Sequence, residues 1–168
     1  LHGEEGDAMT PRGESEARGV RPPGAGIVGS VTEDALRHLA GPQSRRFEAW
    51  HSARIFAEYA RGLRGMHFTG PCITIFGSAR LGETDPYYDL ARQTGRLLAE
   101  AGFTVITGGG PGIMEAANRG ARDVGGHSVG CNIRLPQEQQ PNPYLERVVT
   151  FDHFFIRKVM LVKYSYGF

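Results

Sequence analysis

The 168 residues are 40% hydrophobic and 22% charged, with a formal charge of +1, ordinary values for one soluble domain with a core of its own. So even a charge gives no sequence-wide case for nucleic acid or an anionic membrane as partner. No apolar run is long enough to span a bilayer and no secretory segment opens the chain, so a cytoplasmic location is expected.

Residues 1–29 are rich in Gly, Pro, Glu and Arg and hold almost nothing to bury, which predicts disorder. Ser30 and Glu33 form a capping box that opens a short helix to about Ala40, ended by Gly41-Pro42. A second helix is expected from Ser44 to about Leu63. Its apolar face is Phe47, Trp50, Phe56, Tyr59, Ala60 and Leu63, and Arg45, Arg46, Glu48, Arg54, Glu58, Arg61 and Arg64 form a solvated face. Residues 30–66 are read as a helical extension, and 67–168 as the main domain.

Within the main domain the periodicity changes. Cys72-Ile73-Thr74-Ile75-Phe76 reads as a buried strand between Pro71 and Gly77. Thr84 is the expected cap of a helix to about Ala101, with Leu90, Leu97, Leu98 and Ala101 inward and Gly102 closing it. Further strands are expected at 103–107, 127–133 and 148–150, and a last one from Tyr166. Helices are expected at 113–122 and 152–163. Such alternation predicts an α/β, Rossmann-like fold: a parallel sheet with right-handed crossovers and helices on both faces. Cys72 and Cys131 lie in apolar stretches without Cys or His neighbours at metal-ligand spacing, so reduced core thiols are expected and no metal site. The chain starts at Leu1 rather than Met and ends within Tyr164-Ser165-Tyr166-Gly167-Phe168. A fragment at both ends, with a sheet incomplete at the C-terminus, is therefore expected.

In open parallel sheets ligands bind beyond the carboxyl ends of the strands, and three loops there carry unusual chemistry. Gly77-Ser78-Ala79-Arg80 offers a tight turn, a hydroxyl and a cation, although a Gly-Ser after a strand also serves as a plain turn. Gly108-Gly109-Gly110-Pro111-Gly112-Ile113-Met114 brings bare backbone N–H groups and a helix N-terminus to one point, an anion site. Its spacing is neither Gly-x-Gly-x-x-Gly nor a Walker A loop, and a glycine-rich connector is the other reading. Arg157 and Lys158 lie early in a largely apolar helix. A cation there meets an acid or a phosphate, or else reaches solvent.

These segments carry a resemblance. Residues 71–168 resemble the LOG (Lonely guy) family, and the helices from Ser30 to Leu63 resemble, less distinctively, the extension of its longer bacterial members. The matching segments are Phe76-Gly77-Ser78-Ala79-Arg80, residues 108–116, Gly130-Cys131-Asn132-Ile133, Leu135-Pro136-Gln137-Glu138-Gln139, Asn142-Pro143-Tyr144 and residues 154–164. The resemblance implies hydrolysis of the N-glycosidic bond of nucleoside 5′-monophosphates such as AMP or cytokinin riboside monophosphates, releasing base and ribose 5-phosphate. It implies a homodimer and no organic cofactor. It makes Arg157 the catalytic arginine. Lys158 and Glu138 become substrate contacts, and Gly77, Ser78, Ala79, Arg80, Gly108, Gly109, Gly110, Gly112 and Met114 line the pocket. The family's Pro-Gly-Gly-x-Gly-Thr-x-x-Glu, with its catalytic Glu, does not occur in the 168 residues, and Glu115, Glu138 and Glu146 do not match it. A chain that is inactive alone and exposes apolar surface is thus expected.

Two other readings compete. A similar glycine loop occurs in non-catalytic carriers of nucleotide-like cofactors, such as molybdenum cofactor carriers. A module that only dimerises through the helix around Val159, Met160 and Leu161 is the second. Lysine decarboxylation, an older label for the family, finds no site for pyridoxal phosphate around Lys158 or Lys163. Arg134, Gln137 and Gln140 are candidates for shaping the base pocket by loop position.

Overall fold

The computed structural model describes residues 41–67, 69–134 and 140–168. The expected disorder over residues 1–29 and the short helix at 30–40 lie outside these residues. Helix α1 (Arg45–Met66) leads to β1 (Cys72–Ile75), α2 (Pro86–Glu100), β2 (Thr104–Thr107), α3 (Ile113–Asp123), β3 (Ser128–Ile133), β4 (Arg147–Phe151), α4 (Phe154–Tyr164) and β5 (Ser165–Gly167). The five strands form one sheet in the order β4-β3-β2-β1-β5, and every pairing is parallel. This is the expected Rossmann-like α/β architecture.

The sheet divides the apolar residues between two layers. Ile106 packs with Met66, Cys131, Phe151, Ile156 and Met160 on the face covered by α1 and α4. Its neighbour Val105 packs with Ala117 and Ala121 of α3 on the opposite face. Successive strand side chains point to opposite faces, so adjacent residues of β2 serve different layers. Helices α2 and α3 meet through small residues. A Cβ on Gly95 would lie 2.1 Å from the Ala117 carbonyl oxygen, and one on Gly120 would lie 1.8 Å from that of Arg92. Glycine there permits backbone-to-backbone contact.

The helix faces differ from the expectation in two places. In α1, Trp50 is 59% and Phe56 72% exposed, whereas Glu58 is buried. The inward stripe is instead His51, Ile55, Glu58, Tyr59, Gly62, Leu63 and Met66. Glu58 is drawn inward because Asp152 and His153, just before α4, present hydrogen-bond donors to it, as described below. In α2 the N-cap is Asp85 rather than Thr84, with Pro86 behind it; the Asp85 carboxylate accepts the Tyr87 N–H at 2.8 Å. Tyr88, Ala91 and Gly95 are the buried residues, while Leu90, Leu97 and Ala101 face outward. Around Ala91 and Gly95 the close approach of α3 leaves room only for small side chains. Leu90 and Tyr87 instead line an apolar pocket with Ile75, Leu81 and Ile113. Gly102 does close the helix, with φ +87°.

Candidate functional site

All strands being parallel, the loops after β1, β2 and β4 open on one edge, as the sequence predicts. The glycine loop after β2 is the centre of that edge. Its position is fixed by a buried polar network. Thr107 Oγ1 donates to Asn118 Oδ1 at 2.6 Å and accepts the Gly109 N–H at 2.9 Å. Asn118 Nδ2 donates to Ser128 Oγ at 2.8 Å. Asn142 Nδ2 donates to Asn118 Oδ1 at 3.0 Å and to the Gly110 carbonyl at 3.1 Å. The Asn142 N–H donates to the Gly109 carbonyl at 2.9 Å, and its Oδ1 accepts the Tyr144 N–H at 3.2 Å. Thr107, Asn118, Ser128 and Asn142 are all buried. A satisfied network of this kind rigidifies what it surrounds. Asn142 belongs to a segment singled out in the sequence; Thr107, Asn118 and Ser128 were missed. Isolated polar residues in a strand or an amphipathic helix carry no signal that they meet.

Backbone geometry explains the glycines. Gly109 and Gly112 hold φ of +77° and +73°, which residues with a Cβ adopt at a cost. A Cβ on Gly112 would sit 2.4 Å from the Ser78 carbonyl oxygen, and one on Gly77 2.2 Å from Ile113 Cγ2. The same Ser78 carbonyl accepts the Ile113 N–H at 3.0 Å. The loops after β1 and β2 are thus seated on each other. Gly77, Ser78, Ala79 and Arg80 are solvent-exposed, and Ser78 Oγ accepts the Arg80 N–H at 3.1 Å. Gly108, Gly109, Gly110 and Gly112 are buried, with Met114 half-buried at the start of α3.

Arg157 comes to this loop from the other side. Its Nε donates to the Cys131 carbonyl at 2.7 Å. A Cβ on Gly108 would be 2.5 Å from its Nη2 and 2.9 Å from Met114 Sδ, so the guanidinium lies against the loop. Burial lowers the Arg157 pKa, and the neighbouring Cys131 partly offsets this. Among the described residues no carboxylate pairs with it. A partly buried cation without an anion is costly. Lys158, by contrast, is exposed, with Nζ 4.9 Å from the Phe154 ring centroid. Glu138 and Gln137 lie outside the described residues. Gln140 is exposed and Arg134 pairs with Asp152 at 2.8 Å. Burial pushes the Cys131 thiol up to about 12 and raises that of Cys72; both cysteines are free and buried. Among the described residues no three His, Cys, Asp or Glu group to hold a metal ion, and no helix is long and apolar enough to cross a membrane.

Beside the loop a second polar group forms. Arg119 of α3 pairs with Glu83 at 3.0 Å and lies over the Tyr144 ring at 5.3 Å. Tyr88 Oη donates to Glu115 at 3.3 Å. Glu115 therefore has a local partner on α2 and is not directed at Arg157 by any contact.

Known proteins are similar to part of this chain. A curated relative from Archaeoglobus fulgidus, an uncharacterized protein, is 35% identical over 79 residues, 46% of this chain and 50% of its own. The chain thus spans about half the length of that relative. The crystal structure of the structural-genomics target TM1055 is 32% identical over 56% of this chain and 54% of its own, with a TM-score of 0.44. A molybdenum cofactor binding protein from Rippkaea orientalis is 24% identical over 58% of this chain and 63% of its own, with a TM-score of 0.45. Residues 71–166, from the strand before the Gly77 loop to the strand after the Arg157 helix, match the SLOG cluster4 family, and the chain belongs to that family.

Proposed function

We propose that the chain binds the phosphate of a nucleoside 5′-monophosphate between the glycine loop and Arg157, as the binding half of a phosphoribohydrolase site. The observation that carries this reading is the Arg157 guanidinium, partly buried against Gly108 and without a carboxylate partner among the described residues. A phosphate would supply the missing anion and accept bidentate hydrogen bonds. The start of α3 adds its dipole and backbone donors. Resemblance to the LOG family supports the choice of a nucleotide over other phosphates.

Hydrolysis is the further part of the proposal. Loss of the base places positive charge on the ribose, in an oxocarbenium-like transition state. Phosphate anchoring holds the ring so that a carboxylate and water can act on it. The described residues supply the anchor; none brings a carboxylate against Arg157. The proposal therefore assigns binding to these residues and bond cleavage to a protein that adds a glutamate to the site, there acting as a homodimer.

The test is an amide NMR titration of the 168-residue chain with AMP, inorganic phosphate and adenosine. AMP and phosphate are expected to shift the amides of Gly110, Gly112 and Ile113, and adenosine is not. Shifts confined to other surfaces would overturn the site. Adenine release from AMP by the 168 residues, at a rate matching complete phosphoribohydrolases, would contradict the division of labour.

A further inference from the structure

Glu58 is 4% exposed, and it is a carboxylate that serves another element. Its Oε1 accepts the N–H groups of Asp152 at 2.7 Å and His153 at 3.0 Å. Its Oε2 lies 2.6 Å from His153 Nδ1. His153 is the N-cap of α4, yet its side chain caps nothing in that helix, and the first turn holds no acidic residue. The anionic group that belongs at a helix N-terminus is thus supplied from α1, ninety-five residues away in sequence. The His51 ring packs edge-on against His153 at 5.2 Å.

The consequence reaches the glycine loop. The His153 carbonyl accepts the Arg157 N–H at 3.2 Å, so the residue that Glu58 holds begins the helical turn that aims Arg157. From that turn Arg157 reaches the Cys131 carbonyl with Nε and lies against Gly108. Glu58 lies outside the matched stretch of residues 71–166.

We infer that Glu58 is a positioning residue: it fixes the N-terminal turn of α4 through His153 and thereby sets the guanidinium of Arg157 over the glycine loop. This deepens the nucleotide reading and rests on it for the binding readout only. E58Q is the deciding variant because it keeps volume and leaves one oxygen able to accept both backbone N–H groups. Its amide N–H would require His153 Nδ1 as acceptor. That moves the ring hydrogen to Nε2, which is buried with no hydrogen-bond partner among the described residues. The charge-assisted contact between residue 58 and His153 is lost as well, and the N-terminal turn of α4 is expected to loosen. E58A, which also opens a cavity, serves as the harsher comparison.

Two measurements on the 168-residue chain test this. The first is hydrogen exchange of the Arg157 Nε–H, which its bond to Cys131 slows in the wild type. E58Q is expected to speed it about tenfold, roughly 1.4 kcal/mol of lost protection, while the Ile106 amide in the sheet stays protected. The second is AMP affinity in a double-mutant cycle. E58Q is expected to weaken binding about tenfold in the wild type and by less than about twofold in R157A, because a residue acting through Arg157 has nothing to act on once Arg157 is gone. Unchanged Arg157 exchange in E58Q would overturn the inference. Equal weakening in both backgrounds would also overturn it, as Glu58 would then act elsewhere. Faster Arg157 exchange in E58Q, alongside a wild type that binds no AMP, would sink the nucleotide reading and leave the positioning role standing.

Discussion

Gly108 can accept a methyl group only if its neighbours move, and those neighbours are the free ends of Arg157 and Met114. Flexible ends yield cheaply, so G108A is expected to fold with little loss of stability and to bind AMP at least about tenfold more weakly, a loss of about 1.4 kcal/mol read by calorimetry. Wild-type affinity in G108A would show that Arg157 does not share the ligand. Asn142 behaves differently. In N142D two acceptor oxygens, those of Gly110 and Asn118, would face a carboxylate instead of an amide N–H. Asn118 Oδ1 keeps the Thr107 hydroxyl as donor but the Gly110 carbonyl loses the Asn142 amide, and since leaving a buried acceptor without a donor costs about 1–3 kcal/mol, a loss of about 2 kcal/mol in urea unfolding is expected. The cysteines give a pH-dependent check. Burial holds the Cys131 thiol up to about 12 and raises Cys72. Both therefore stay protonated at pH 8, and the thiolate is the reactive form. Native protein is expected to show no fast phase with a disulfide reagent at pH 8, and urea should release both thiols. Of these residues the sequence marks the glycines, Arg157 and the two cysteines plainly. It hides Thr107 and Asn118, whose meaning lies in partners across the fold.

Elements show why amphipathic reading succeeds for some helices and not others. The interface of α2 with α3 is built on Gly95, Ala91, Ala117 and Gly120, so Leu90 and Leu97 of the expected apolar stripe point outward while Leu98 packs against Val105 and Ala117 as expected. Glycine inside a helix reads as weakness, and only the contact reveals that it permits close approach. G120A places a methyl 1.8 Å from a backbone oxygen that cannot move alone. Overpacking of this kind costs about 1–3 kcal/mol, and since α3 begins at the glycine loop, AMP affinity should fall with stability. A G120A chain with wild-type unfolding would mean that the helices separate freely. Helix α1 carries the opposite lesson: Glu58 sits in a run of surface-like charges, and its burial follows from donors on Asp152 and His153 at the entry to α4. The apolar α4 is also partitioned by contact. Met160 and Leu161 are core residues, so of the trio considered as a dimerising surface only Val159, 45% exposed, is available.

At the scale of the whole molecule, alternation of strand and helix was enough to predict a parallel sheet, and hence which loops share an edge. It was not enough to order the strands, because four- and five-residue apolar runs carry no address for their neighbours. Exposed aromatic side chains also gather where the sheet ends: Tyr166 and Phe168 are 82% and 70% exposed, and Phe168 stacks on Phe76 at 6.2 Å. The carboxyl edge, by contrast, collects the buried polar network, the glycine loop and an arginine without a carboxylate partner among the described residues. The central claim is that this arginine and this loop hold a phosphate. Calorimetric titration of the wild type and R157A with AMP and adenosine tests it most directly. The account predicts that AMP binds the wild type, that R157A weakens it at least about tenfold, and that adenosine binds neither. Equal AMP affinity in wild type and R157A, or equal affinity for AMP and adenosine, would contradict it.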